Sequence, residues 1–494
     1  MKLFDRQKKW EINLYSYYDH AGIVRHLEDM ARQGWQLEKA GSVFWTYRRC
    51  KPAELRYAVV YFSKASQFDP EPPAEQREFW KLCKATGWEL VTNRYQMQIF
   101  RNPAPDAIPI ETDPVVQVEN VRAAMKKGSA RANWCLLATS LLQLWLQSRS
   151  VYTIRDLLLS TFTLLAILIW LMLGIKAVME LIGYYRWYRK ARTAAEEEGV
   201  LLSPRTRKWW QILQILGFLV TVALALSLPL LSTSHNPSTL ITLAAVLAYT
   251  LLLTLIVNGS RQLMKKKGFS AEANMGLNIL IAIVGTFVLM GGLIWMSFRV
   301  ADDPGLRGHV NAETRTSPAY PAGDTEHTYT VYHDPLPLTV EDLVGETVYK
   351  DYSCYREIQG SPLLTEYTYK QEVPFVFSIS EQDGPELLYE IYEVKLNCLY
   401  EPVKQSFFTD TVYNIPGRFK FAVSQSWTPV DAAPWGALDA YRFIREDNTP
   451  IGNFLLCYAD RFVEIRFDPW YDGGTPTEKQ MALVGTVLGS GPLS

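Results

Sequence analysis

Two ionisable side chains lie inside an otherwise apolar stretch, where a charge is costly unless it is paired. Lys176 and Glu180 are four residues apart within residues 157–181, so on a helix they share one face. One hypothesis is an intramembrane ion pair, because charges inside a bilayer usually mark a path for ions or substrates. The alternative, which we favour, is that both lie near a helix end and the Lys176 stem reaches the membrane surface.

Three cysteines in the C-terminal third of the chain, Cys354, Cys398 and Cys457, could form one disulfide bond and leave one thiol. We predict Cys354 with Cys398 as the bonded pair. Three buried, reduced cysteines are an equally acceptable alternative. Because no two cysteines have the CxxC spacing, a zinc ribbon or a redox motif is not expected.

Motifs that carry catalysis are missing from the sequence. The 6 histidines include no HExxH pair, and there is no Walker loop, nucleophile elbow or dinucleotide fingerprint. The net charge of −1 gives no reason to expect nucleic-acid binding. We therefore expect a protein that is not an enzyme, with no cofactor, no metal site and no nucleic-acid partner.

The centre of the chain is apolar in segments long enough to cross a bilayer, which takes about 20 residues per helix. These segments are residues 132–148, 157–181, 210–231, 240–258 and 277–298. The first is short and contains Gln143, so an interfacial helix is its alternative. We predict a block of five transmembrane helices over residues 132–299, and hence a multi-pass protein of the cell membrane in contact with lipid.

Basic residues fix a predicted orientation, because Lys and Arg concentrate in cytoplasmic loops. Clusters lie at residues 122–131, 186–208 and 261–267, whereas the alternate connections contain few cations. Five crossings place every cluster on one side of the membrane. The N-terminus is then cytoplasmic and the C-terminal domain extracytoplasmic.

The N-terminal segment, residues 1–103, contains an internal repeat. Gly34-Trp35 and Gly87-Trp88 each follow an amphipathic helical pattern and precede a strand-like run. With one further strand before each helix, the order is βαββαβ. This order predicts an α+β domain of the ferredoxin-like type, followed by a linker and juxtamembrane helix at residues 104–131.

After a polar tether at residues 300–324, the chain becomes rich in strand patterns. Residues 453–458 and 462–467 predict a hairpin, and Thr477 can cap a closing helix over residues 477–488. We predict a strand-rich α+β domain over residues 325–494.

Four short motifs in the first repeat resemble the bacterial domain-of-unknown-function family 2812 (DUF2812). They are Tyr17-Tyr18-Asp19, His26-Leu27-Glu28-Asp29-Met30, Gly34-Trp35-Gln36-Leu37 and Phe44-Trp45-Thr46-Tyr47. The resemblance implies a soluble N-terminal domain ahead of membrane helices and transfers no catalytic residue. It also implies a genetic link to PadR-type transcriptional regulators, and so a regulatory role.

Together these features favour an integral membrane protein with a sensory or regulatory role. It would link an extracytoplasmic domain to a cytoplasmic domain that docks a protein partner. A transport component or an envelope assembly protein is the alternative.

Overall fold

The fold was analysed in a computed structural model of the chain. The residues it describes are 7–13, 15–41, 44–94, 96–150, 153–204, 209, 212–213, 215–217, 219–220, 222–223, 237–302, 311–316, 328–345, 352–374, 385–408, 411–413, 421–423, 426–444, 450–468 and 475–490. The chain divides into two compact units. The first comprises Met1–Leu144, Leu168–Thr221 and Leu247–Met290, and the second comprises Trp145–Ile167, Val222–Val246 and Gly291–Ser494. The domain limits predicted from sequence stay predictions.

The N-terminal part of the first unit is built from two copies of one βαββ motif. The first copy consists of β1 (Lys8–Ile12), α1 (His20–Arg32), β2 (Trp35–Ala40) and β3 (Phe44–Arg49). The second copy consists of β4 (Arg56–Tyr61), α2 (Ala74–Ala85), β5 (Glu89–Arg94) and β6 (Met97–Asn102). Each copy closes its own three-stranded antiparallel sheet, in the orders β1-β3-β2 and β4-β6-β5.

The predicted ferredoxin-like βαββαβ domain is therefore wrong. The segments after Gly34 and Trp88 form strands β2 and β5, and the βαββαβ prediction contains neither strand. Each of these strands pairs with the strand after it, so each repeat forms a separate sheet. Strand β2, Trp35–Ala40, is difficult to recognise from the sequence. Only Leu37 and Ala40 are buried, so its apolar pattern is weak.

Glycine ends the helix in each repeat for a conformational reason. Gly34 and Gly87 adopt φ values of 80° and 85°, a region that side chains with a Cβ avoid. At the other end of α1, the Asp19 carboxylate accepts a hydrogen bond from the Gly22 backbone at 2.9 Å. These caps set the length of α1 and aim the chain into β2.

One hydrophobic core joins both repeats to the helix that follows them. Helix α1 and helix α3 (Pro114–Lys127) contact β4. The buried side chains include Ile23, Leu27, Tyr47, Ile99 and Val121. Helix α2 covers the opposite face of the second sheet, around Phe100.

Four long helices and one short helix, α5, follow α3 in the described part of the chain. They are α4 (Ser129–Ser150), α5 (Ile154–Leu159), α6 (Thr161–Glu197), α7 (Pro237–Lys266) and α8 (Ala271–Asp302). Among the described residues, two segments are long and apolar enough to cross a membrane: Thr163–Glu197 in α6 and Ala271–Met296 in α8.

The predicted block of five transmembrane helices is thus contradicted. The first predicted span lies in α4, whose sequence includes Arg131, Asn133, Gln143, Gln147 and Arg149 and is too polar to qualify. The fourth lies in α7, which is not among the helices that qualify. The third, at residues 210–231, falls mostly outside the described residues. The second and fifth coincide with α6 and α8.

The second unit contains an antiparallel sheet of seven strands, in the order β14-β15-β16-β17-β11-β10-β9. These strands are β9 (Ser353–Gly360), β10 (Leu364–Glu372), β11 (Glu386–Val394), β14 (Ser426–Val430), β15 (Asp439–Ile444), β16 (Pro450–Cys457) and β17 (Arg461–Asp468). Two small ladders pair β7 (Glu313–Thr316) with β8 (Thr328–Val331), and β12 (Thr411–Tyr413) with β13 (Phe421–Val423). The C-terminal region is therefore strand-rich, as the sequence predicts.

Helices cover both faces of the seven-stranded sheet. On one face, α9 (Val340–Val344) and α11 (Glu478–Leu488) pack over a core that includes Tyr389, Ile465 and Val484. On the other, α5 and α10 (Tyr400–Ser406) pack over Tyr392, Leu455 and Phe462. A short 3₁₀ turn, Asn397–Leu399, leads from β11 into α10.

Candidate functional site

A cationic side chain, Arg155, lies on the face of the seven-stranded sheet that α5 covers. Helix α5 begins at a capping box, in which Thr153 accepts from the Asp156 backbone at 3.2 Å and Asp156 accepts from the Thr153 backbone at 3.0 Å. The Leu158 side chain is buried in the core beneath this helix. The cap and this anchor fix where Arg155 points.

Two aromatic rings hold the Arg155 guanidinium. Its central carbon lies 4.4 Å from the centre of the Phe407 ring and 4.9 Å from that of Tyr392. Both distances are within the range of a cation–π interaction. Arg155 Nη1 is buried and has no hydrogen-bond partner among the described residues. Packing against the rings therefore helps to keep the cation in this position.

Carboxylates from three neighbouring strands share this face. Glu366 is on β10, Glu390 on β11 and Glu464 on β17. Glu390 and Glu464 are directly opposite each other across the ladder, a placement that is unfavourable for two negative charges. The Tyr392 hydroxyl donates to Glu390 at 2.5 Å, and the Gln359 amide donates to Glu366.

Burial changes the pKa of two of these carboxyl groups, Glu464 and Glu366. Burial, and next the Glu390 charge, raise the pKa of Glu464 to about 7, although Arg155 and Arg466 act in the opposite direction. Burial also raises the pKa of Glu366 above its usual range. The site can therefore take up or release a proton close to neutral pH.

Helix α6 follows this site after one residue. The Thr161 hydroxyl donates to the Gly360 carbonyl at 3.2 Å, at the end of β9. We call Arg155, Leu158 and Thr161, with the sheet residues that they contact, the α5 seat. The seat therefore includes the first residue of α6.

The later part of α6 belongs to the core of the first unit. Tyr18, just before α1, stacks on Trp187 with ring centres 5.5 Å apart. Trp187, Ala191 and Ala195 are buried in the same core as α1. The Tyr188 hydroxyl donates to Glu119 of α3 at 2.9 Å. The first unit is therefore built around this part of α6.

Glu180, one of the two residues singled out inside the apolar stretch, also lies in α6. Its carboxylate accepts a hydrogen bond from the Ser16 hydroxyl at 3.0 Å. Sequence spacing could not indicate this partner, because the two residues are 164 positions apart. The ion pair of Glu180 with Lys176 stays a prediction.

The structure holds Cys354 and Cys398 as free thiols. Cys354 is half-buried on β9, whereas Cys398 is exposed in the 3₁₀ turn after β11. Their disulfide stays a prediction. The buried thiol of Cys457 lies in the core below α5. In the described ranges, no group of three or more His, Cys, Asp or Glu side chains could hold a metal ion.

Sequence reasoning treated Arg155 only as one of a few cations in a short connection and did not identify the α5 seat. The glutamates lie in three strands far apart in the sequence, so no local spacing links them. The available signal was weak, because Glu390 and Glu464 are only two of several charged residues in these strands.

Comparison with known protein families gives a match in the first unit. No curated protein and no solved structure matches the chain. The match is to the model of a family described as protein of unknown function (DUF2812), over residues 21–130. This range runs from α1 through β2 to β6 and α3 to the start of α4, and β1 lies before it. Residues 21–130 therefore form a domain of the DUF2812 family.

Proposed function

We propose that the chain is a membrane-anchored sensory or regulatory protein in which helix α6 transmits a change at the α5 seat to the DUF2812 domain. The observation that carries the proposal is the division of α6 between the two units. Its residues up to Ile167 belong to the second unit, and its residues from Leu168 belong to the first. One continuous helix is a stiff connection, so a shift at one end is felt at the other.

The exposure of apolar side chains supports the membrane anchor. In α8, Phe287 is 69% exposed, Val288 62% and Trp295 62%. A helix that is apolar on all sides and uncovered is unfavourable in water and suits the hydrocarbon of a bilayer. Leu171 and Ile175 of α6 are exposed in the same way.

The distribution of basic residues supports an orientation. Arg186, Arg189 and Lys190 lie in the C-terminal half of α6, and Lys265 and Lys266 end α7. In the proposed arrangement these cations face the cytoplasm, together with the DUF2812 domain that packs on α6. We place the seven-stranded domain, which receives the signal, on the opposite side of the membrane; this placement needs an odd number of crossings, so one segment besides those in α6 and α8 must also cross.

The α5 seat has the properties of an input. It combines a cation that packing holds in place with a carboxyl group, that of Glu464, whose pKa burial raises to about 7. A bound ligand, a proton or a partner could each alter this balance of charge. The proposal assigns the protein no catalytic step, and its output is the docking of a cytoplasmic partner.

Hydrogen–deuterium exchange on the full chain in lipid nanodiscs tests the relay. Arg155→Ala should speed amide exchange in α5, and also in α1 and α3 of the DUF2812 domain. Lys395→Ala is the matched control, because Lys395 is an exposed cation of the same domain that pairs with Glu393 at 2.5 Å. If Arg155→Ala changes exchange only in the seven-stranded domain, the proposed relay is wrong.

A further inference from the structure

The two βαββ repeats differ in what covers one face of their sheets. In the second repeat, this face carries Tyr57, Tyr61, Met97 and Ile99, all of which are at least 95% buried. Helices α1 and α3 pack across it. This face of the second sheet therefore needs helices to shield it from water.

The equivalent face of the first sheet is open. Gly34 and Gly87 align the repeats, so that Phe44 of β3 takes the place of Met97 and Ile12 of β1 takes the place of Tyr61. Trp10 lies beside them on β1. Trp10 is 68% exposed, Phe44 50% and Ile12 41%. Three large apolar side chains thus stand in solvent where the second repeat buries its counterparts.

Among the described residues, the charges around this apolar strip are mostly positive. Lys8, Lys39 and Arg48 flank it, and Glu38 is the carboxylate among them, paired with Arg48 at 2.7 Å and with Lys8 at 3.8 Å. Three cations against one carboxylate leave an excess of two positive charges. A complementary partner therefore carries negative charges beside an apolar surface.

We propose that the open face of the first sheet, formed by Trp10, Ile12 and Phe44 within this basic rim, binds an amphipathic, acidic α-helix of a partner protein. The second repeat provides the argument for a helix, because helices cover the same face there. The rim provides the argument for acidic flanks. This inference deepens the proposed function by giving its cytoplasmic docking step a surface and a class of partner.

Two synthetic 18-residue peptides test the proposal. They share one leucine face, and the remaining positions are glutamate in the first peptide and lysine in the second. Fluorescence anisotropy measures their binding to the full chain in zwitterionic nanodiscs. We expect the glutamate peptide to bind at least ~10-fold more tightly than the lysine peptide, because only the former complements the basic rim.

Matched variants locate the binding site. Trp10→Ser combined with Phe44→Ser should weaken binding of the glutamate peptide by about 30-fold, since buried aromatic anchors dominate such interfaces. Leu82→Ser is the control, because Leu82 is 65% exposed on α2 and lies away from the open face. Unchanged thermal unfolding of the double variant excludes loss of the fold.

The proposal is overturned if the glutamate peptide does not bind, binds the double variant equally well, or binds no better than the lysine peptide. Mass photometry and anionic nanodiscs identify two other occupants. Self-association, or binding to anionic lipid, that disappears in the double variant would assign the face to a second copy or to the membrane. The test does not involve the α5 seat, so its failure leaves the proposed relay standing, and a failed relay leaves the docking surface standing.

Discussion

The guanidinium carbon of Arg155 lies 4.4 Å from the centre of the Phe407 ring, so a cation from helix α5 rests on an aromatic side chain of the sheet-bearing domain. Phe407 is 1% exposed, and its ring also contacts Phe462, with ring centres 5.4 Å apart. Burial of this kind strengthens a cation–π interaction, because water does not compete for the cation.

Phe407→Leu should weaken the α5 seat, since leucine keeps most of the apolar volume and loses the ring. We expect a loss of about 1–2 kcal/mol in the free energy of unfolding of this domain. A double-mutant cycle with Arg155→Met, followed by thermal unfolding, measures the part that belongs to the pair. Phe443→Leu is the control, because Phe443 packs against Trp427. A coupling energy of zero would contradict a cation–π contribution.

The stability of the seven-stranded domain should fall as the pH rises from about 4 to about 7. The pKa of Glu464 is raised to about 7 in the folded chain, whereas an unfolded glutamate titrates near ~4.3. The folded state therefore binds the proton more tightly, and its advantage is present at low pH and lost as Glu464 ionises. The total effect is on the order of 3 kcal/mol.

Glu464→Gln should remove this pH dependence, because the amide cannot ionise. Chemical unfolding of the domain at pH 5 and pH 8 gives the comparison. Glu478→Gln serves as the control, since Glu478 is an exposed residue at the start of α11. An equal slope of stability against pH in wild type and Glu464→Gln would show that Glu464 is not the group responsible.

Gly34→Ala should destabilise the DUF2812 domain by about 1–2 kcal/mol. The residue has φ 80°, and an added Cβ would lie 2.9 Å from the Cys50 carbonyl oxygen. Gly259→Ala within α7 is the opposite case, because nothing lies within 4 Å of its added Cβ and alanine favours a helix. The midpoint temperature of thermal unfolding should be lower for Gly34→Ala than for wild type. For Gly259→Ala it should equal or exceed the wild-type value. The reverse order would contradict the backbone argument.

Thiol labelling of intact cells should distinguish the two ends of the chain. Cys398 is exposed in the domain that we place outside the membrane, whereas Cys50 lies in the DUF2812 domain. A maleimide that does not cross membranes should modify Cys398 and leave Cys50 unmodified until the cells are lysed. Single-cysteine variants keep the two signals separate. Labelling of Cys50 in intact cells would reverse the orientation.

Local patterns predicted local structure well. The hairpin expected at residues 453–458 and 462–467 is confirmed as β16 and β17, which pair antiparallel. The closing helix is confirmed as α11, with Thr477 as its cap. Both depend on interactions between residues a few positions apart, which periodicity and capping chemistry report directly.

Pairing between distant segments was predicted less well. The sequence contains the repeat that surrounds Gly34 and Gly87, but it does not state whether two repeats share one sheet or form two. That outcome depends on the partner of β2, a strand with too few apolar residues to be recognised by alternation. Apolar length likewise overestimated the number of helices able to cross a membrane.

The sequence by itself determined the repeat, the strand-rich C-terminal region and the apolar character of α6 and α8, because each is a property of neighbouring residues. Only the tertiary structure brought Arg155 onto Phe407 and Tyr392, set Glu390 opposite Glu464, and joined Ser16 to Glu180. These contacts link residues up to 252 positions apart, as for Arg155 and Phe407 (407 − 155 = 252). Burial and long-range charge interactions arise from packing, so the α5 seat exists only once the sheet and its helices have come together.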